Sequence, residues 1–244
     1  SRRHRYLTEK IKESFEASHE TYGAIRVRHD LLEEGERVGK NTVALLMRRS
    51  GLIPRPVRRF RLTTDSRHTQ AAPNLLNRNF CVSEANRNWV TDITAIPTRE
   101  GWLYLCVFVD LYSRAVVGWS MSARMKSELV SGALKMSIES RHPSKGLLVH
   151  SDRGSQYGAD DYQRMLKKHE MICSMSRTGN CWDNAVAESF FHSLKTERTH
   201  HENYTSRAQA RLRVFEYIEL FYNRRRRHST LNYKAPLVYE EESK

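Results

Sequence analysis

The sequence is short of cysteine, of acid and of long apolar runs. Its 244 residues include four cysteines, Cys81, Cys106, Cys173 and Cys181. No two of them stand at C-x-x-C spacing, which argues against a zinc knuckle or ribbon. Cys106 lies in an apolar run and reads as core. No apolar stretch reaches the roughly 18 residues of a membrane-spanning helix, so no membrane association is expected. The opening Ser1-Arg2-Arg3-His4-Arg5 is basic with no apolar run behind it and does not read as a secretory signal. A reducing cytoplasm with free thiols is the setting expected. Acids are outnumbered: 28 Asp and Glu stand against 41 Lys and Arg, a formal charge of +13. A surplus of that size favours a polyanionic partner, nucleic acid first among them. With 39% hydrophobic and 28% charged residues, the composition is that of a folded chain of one or two domains.

No internal repeat or low-complexity tract interrupts the sequence, but three regions differ in character. Residues 1–52 read as helical. Leu7, Ile11 and Phe15 recur at four-residue spacing, and Tyr22, Ile25, His29 and Leu32 continue a stripe until Gly35. Asn41-Thr42 can cap a third helix carrying Val43, Leu45, Leu46 and Met47. Three short helices suit a helix-turn-helix module or equally a plain bundle; Lys40, Arg48 and Arg49 on the last one tilt the reading toward DNA. Residues 53–84 read as a basic linker, holding Pro54, Pro56 and Pro73 with Arg58, Arg59 and further arginines that could lie on phosphates. Residues 85–200 switch to mixed α/β. Strands are expected at 89–94, 102–109, 115–121, 147–150 and 172–175, with helices at 128–138, 160–169 and 183–198. Three strands followed by alternating helix and strand predict a mixed five-stranded sheet with flanking helices. Residues 201–244 add a C-terminal helix over 206–225 and a basic tail.

Three acids sit where structure alone would not place them. Asp92 interrupts the strand-like Trp89-Val90-Thr91-Asp92-Ile93-Thr94, and strand interiors disfavour Asp. Asp152 follows the apolar Leu147-Leu148-Val149, and ligand sites in α/β sheets gather at such strand ends. Glu188 lies in an apolar helical stretch among Ala185, Val186, Ala187, Phe190 and Phe191. Each has an ordinary alternative: a salt bridge, a turn, or an exposed helix face. A hard divalent cation, Mg²⁺ or Mn²⁺, would reconcile all three with burial.

The pattern resembles the DDE transposase and retroviral integrase superfamily, with its ribonuclease-H-like fold. Asp152 and Glu188 are separated by 35 residues, and Lys195 follows Glu188 by seven, as is typical of the integrase branch. The segments Trp89 to Thr94, Val109-Asp110-Leu111-Tyr112-Ser113-Arg114 with Gly118-Trp119, His150 to Tyr157, Ser176 to Ala185, Glu188-Ser189-Phe190-Phe191, Leu194-Lys195-Thr196-Glu197, and Tyr222-Asn223-Arg226-His228-Leu231 narrow it further. They resemble the second-frame (OrfB) transposase of insertion-sequence family three, over nearly the whole chain.

The resemblance implies a catalytic triad of Asp92, Asp152 and Glu188 holding two Mg²⁺ (or Mn²⁺) ions, with Asp92 bridging. It implies cutting at the 3′ ends of the element and transfer of the new 3′-OH to another phosphodiester. Strand-transfer products would separate this from a nuclease that only cuts. Lys195 would hold a phosphate near the scissile bond; Arg153, Gln156, Asn184 and Trp182 are further DNA-contact candidates beside Lys40, Arg48, Arg49, Arg58 and Arg59. Asp110 is expected to pair with Arg114 in preference to assisting the metals, His150 to orient the site or finish a core strand, and the Arg224 to Arg227 run to be a solvated face or a phosphate track. No cysteine pair here matches the zinc-binding front domain of retroviral integrases, and no long heptad zipper is read. The implied partners are therefore DNA (terminal inverted repeats and target), further copies of the chain, and the upstream first-frame product or a fusion with it, in a nucleoid-associated cytoplasmic setting.

Overall fold

The computed structural model describes residues 2–55, 72–177 and 181–243. The chain opens with three helices, α1 (Arg2–Ala17), α2 (Ala24–Glu33) and α3 (Lys40–Arg49). Leu7, Ile11 and Phe15 of α1 are buried against Val27 and Leu31 of α2 and Val43, Leu46 and Met47 of α3. In α2 the predicted face is the wrong one: Ile25 and Leu32 are exposed, and His29 stacks on Tyr233 instead. Two stripes of similar apolarity run along this helix, and the contact with α1 and α3 selects the one at Val27 and Leu31.

A five-stranded sheet follows in the order β3-β2-β1-β4-β5, formed by β1 (Asn88–Thr98), β2 (Gly101–Asp110), β3 (Val116–Ser122), β4 (Leu148–Ser151) and β5 (Ile172–Met175). The first three strands are an antiparallel meander, and β4 and β5 add in parallel. The mixed sheet with flanking helices is the architecture the sequence predicts. Leu103 to Val109 reads as unbroken apolarity because both faces of β2 are covered. Leu105, Val107 and Val109 face α6 (Ala185–Glu197) and the C-terminal helices. Cys106 and Phe108 face α4 (Ser127–Arg141) and α5 (Asp160–Lys168). Gly118 of β3 is required by the closeness of α4: a Cβ there would stand 2.1 Å from Ser137 Oγ and 2.7 Å from the Ala133 carbonyl oxygen.

Two departures concern the ends of the sheet domain. Part of the expected linker packs on it: Leu76 is buried, and the amides of Leu75 and Leu76 donate to Ser174 Oγ. Arg58 and Arg59 lie outside the described residues. The C-terminal helix divides into α7 (Arg207–Phe215) and a π-helical stretch, Glu216–Tyr222, before the short α8 (Pro236–Glu241). The wider π turn lets Tyr217, Ile218, Phe221 and Tyr222 all be buried.

Candidate active site

Strand register brings the two aspartates together. Val90 of β1 pairs with His150 of β4 in parallel. Two residues on along each chain come Asp92, within β1, and Asp152, just past the end of β4, close enough for the Asp152 charge to act on Asp92. The Ile93 amide donates to Asp92 Oδ1 at 2.8 Å, and the Gly154 amide to Asp152 Oδ1 at 2.9 Å. A side chain at Gly154 would put its Cβ 3.0 Å from that same Asp152 oxygen, so glycine keeps the carboxylate where it is.

Glu188 arrives on α6. The Asn184 side-chain amide, at the entrance to this helix, donates to the Thr91 carbonyl at 3.0 Å. That bond ties the N-cap of α6 to the residue preceding Asp92, and Glu188 lies in the first turn that follows. Burial pushes Asp92 up to about 8, and the Asp152 and Glu188 carboxylates push in the same direction. Burial also raises Asp152 and Glu188. Lys195, two turns beyond Glu188, is lowered by burial and drawn back by the Asp92 charge. Among the described residues, no three His, Cys, Asp or Glu side chains are gathered into a finished metal cage.

The donor set nevertheless fits a hard cation. It consists of carboxylate oxygens from β1, from the residue after β4 and from α6, and Asp152 and Glu188 raise the charge cost at Asp92. Asp92 and Asp152 each commit one oxygen, Oδ1, to a neighbouring backbone amide. The hard oxygens of three such carboxylates are the ligand type that Mg²⁺ and Mn²⁺ prefer.

Support comes from beneath and beside the acids. Tyr157 is buried with its hydroxyl 3.1 Å from Thr91 Oγ1, which ties the loop after Asp152 to β1. His150 is a core residue, its ring nitrogens 2.8 and 3.1 Å from the hydroxyls of Ser174 and Ser176; burial lowers it to about 4, so the ring is neutral. Asp183, which lies in one of the segments of the resemblance but carries no expected role there, is fully buried. Its carboxylate takes Arg177 from both Nε (3.0 Å) and Nη2 (2.8 Å), Arg78 Nε at 2.9 Å and Asn74 Nδ2 at 2.9 Å, and Arg177 holds it well below the usual carboxylate range. An acid six residues after an arginine and just before the helix of Glu188 was the available signal.

The remaining candidates divide. Lys40, Arg48 and Arg49 are exposed on α3. Asn184 is buried and serves the α6–β1 contact. Arg153 donates from Nε to the Ser176 carbonyl at 2.7 Å and Gln156 to the Met125 carbonyl at 3.2 Å, so both brace loops. The side chain of Trp182 lies outside the described residues. Asp110 does not form the expected pair with Arg114: its two oxygens accept the amides of Asn86 and Tyr112, and Arg114 donates to the Phe80 carbonyl. Nor is the arginine run uniformly solvated. Arg224 and Arg225 are exposed, whereas Arg226 and Arg227 are buried in ion pairs.

The chain is similar to known proteins along most of its length. Two family models described as integrase core domain match residues 82–181 and 169–236, and an HTH-like domain model matches residues 2–60. A chain of the simian T-cell lymphotropic virus intasome, solved in complex with the PP2A regulatory subunit B56 gamma, shares the fold. It has a TM-score of 0.52 at 15% identity, over 88% of this chain and 73% of that one. The 31 kDa protein of insertion element IS600 from Shigella sonnei is 43% identical over 238 residues, 96% of this chain and 88% of the relative. Transposase InsF for insertion sequence IS3A from Escherichia coli K12 is 45% identical over 231 residues, 94% of this chain and 80% of the relative. On the strength of that identity along almost its whole length, together with the helical front and integrase-like core, the chain belongs to the transposases of IS3-type insertion sequences, within the integrase-core polynucleotidyl transferases.

Proposed function

We propose that the chain cuts and joins DNA at one carboxylate centre made by Asp92, Asp152 and Glu188. The observation that carries this is the register of β1 on β4, which sets Asp92 beside Asp152 under the helix of Glu188, with all three carboxyls pushed upward. The three acids would hold Mg²⁺ or Mn²⁺, as a pair of ions, and the metal would supply charge neutralisation and Lewis acidity at the scissile phosphate. The chain's own residues hold and orient the rest. Lys195, within reach of the Asp92 charge, steadies a non-bridging phosphate oxygen. Asn184 and Tyr157 keep the two strands and the helix in mutual position.

Water displaces one phosphodiester oxygen and leaves a free 3′-OH at the element's end. That hydroxyl then attacks a phosphodiester of target DNA and displaces its 3′ oxygen. No enzyme nucleophile is needed in either exchange. DNA is the partner that the +13 charge and the HTH-like match support, with α3 presenting Lys40, Arg48 and Arg49 to it. Bringing two element ends together calls for at least two copies of the chain, with the first-frame product as a further partner. The test is Asp92→Asn in a nicking and strand-transfer assay on labelled element ends. Both activities are expected to vanish while binding to the same duplex stays; persistent Mg²⁺-dependent nicking by the variant would refute the assignment.

A further inference from the structure

Two consecutive arginines just beyond the π-helical stretch reach in opposite directions. Arg226 grips α6. Its Nε lies 2.8 and 3.0 Å from the two Glu197 oxygens, and its Nη2 donates to Glu197 Oε1 at 2.7 Å and to Ser193 Oγ at 2.9 Å. Ser193 and Glu197 stand one turn apart on a single face of the helix that carries Glu188. Arg227 grips α2. Its guanidinium pairs with Asp30 and donates to both Glu33 oxygens at 2.9 and 2.6 Å. Its amide donates to the Tyr22 hydroxyl at 2.8 Å, and that hydroxyl donates to the Arg225 carbonyl at 3.0 Å. Tyr233 closes the joint by stacking on His29 at 4.1 Å. Arg26 of α2 also reaches Glu197 directly, at 3.6 Å.

We infer that the segment from Tyr222 to Tyr233 is a brace between the N-terminal helical module and α6, with Arg226 and Arg227 as positioning residues. They fix the spacing between the DNA sequence held by α3 and the bond cut at Asp92, Asp152 and Glu188. The inference rests on the proposed cutting role of those acids. An apolar joint would hold the two units together at least as well, because burying paired charges gains little net stability. Paired charges with bidentate geometry admit one relative placement, where an apolar contact tolerates sliding. Glu197 is nine residues along α6 from Glu188, about 13 Å of rigid helix at 1.5 Å per residue, so the hold on one end of α6 sets the other.

The experiment compares the wild-type chain with Arg227→Ala and with the double variant Asp30→Asn/Glu33→Gln, none of which touches the acids or α3. Each protein is given a labelled duplex carrying an end of the insertion sequence that encodes it, with cuts mapped to the nucleotide. A plasmid lacking that end is nicked in parallel, and each protein is unfolded in a calorimeter. Wild type is expected to cut at one position and unfold in one transition. Both variants are expected to scatter their cuts over neighbouring positions. Their preference for the end over plasmid should fall by at least about tenfold, the scale of loss set by misplacement of about an ångström, with plasmid nicking within about threefold of wild type. Their unfolding should split into two transitions. Unchanged cut position with a single transition would overturn the brace, and so would loss of end cutting and plasmid nicking in equal proportion. If wild type nicks neither DNA, the cutting role fails on its own, and the calorimetry still decides the brace.

Discussion

At Asp92, burial first and the neighbouring Asp152 and Glu188 carboxylates after it push the carboxyl up to about 8. The unfolded chain gives up that proton near pH 4. Between those values the folded, metal-free protein binds more protons than the unfolded one, so its stability falls as pH rises through this window and levels off above it. Asp92→Asn removes the penalty. Thermal unfolding in chelator should show the variant overtaking wild type as pH increases, with the gap widening from about pH 4 to about pH 8 and steady above. Added Mg²⁺ should raise the wild-type melting temperature, more strongly at pH 8 than at pH 6, and leave the variant nearly unmoved. Identical pH profiles for the two proteins would remove the electrostatic basis of the site. The acids themselves were legible in the sequence because each breaks a local rule: Asp inside a strand, Asp at a buried strand's end, Glu among apolar helix residues. Asp183 breaks no such rule. Its importance lies in Arg78, more than a hundred residues away, as much as in Arg177. Asp183→Ala should cost about 2 kcal/mol in a denaturant titration, the worth of its charge-assisted hydrogen bonds less the solvation its half-exposed arginines regain.

Elements are where apolar period served best. All five strands and α4, α5 and α6 fall close to their predicted ranges because both faces of the sheet are covered and the breaks between elements carry turn residues. The period failed at α2, where two stripes compete, and at Glu216–Tyr222, where π geometry buries four apolar side chains on a seven-residue stretch. Gly118 illustrates information that a sequence holds without explaining. It belongs to the segments that carried the family resemblance, and its reason appears only when α4 lies against β3. Gly118→Ala must push Ser137 and the α4 backbone aside. We expect about 3 kcal/mol of destabilisation, read from urea unfolding, as overpacking of a tight contact gives. A destabilisation under about half a kilocalorie would mean that α4 can slide freely on the sheet.

For the molecule as a whole, charge does two different jobs. Arg226 and Arg227 are used internally, so a run of four arginines that looked like one surface feature is half surface and half joint. Sequence spacing could not reveal this, since Arg227 meets Asp30 and Glu33 from nearly two hundred residues away. Arg226→Ala should destabilise by about 3–5 kcal/mol, because Glu197 is left buried with its main partner gone. Lys40, Arg48 and Arg49 remain outward on α3. Neutralising Arg48 and Arg49 together should weaken binding to any duplex. The slope of log affinity against log salt should fall by about 1 for each phosphate that is no longer neutralised. An unchanged slope would place the DNA elsewhere.

The three-acid centre is tested most sharply by an anomalous-scattering map of crystals grown with Mn²⁺. Manganese peaks are expected in coordination contact with Asp92, Asp152 and Glu188, and none at that place in Asp92→Asn crystals grown alongside. Manganese bound only at other sites, in a protein that still cuts DNA, would show that the chemistry happens somewhere else.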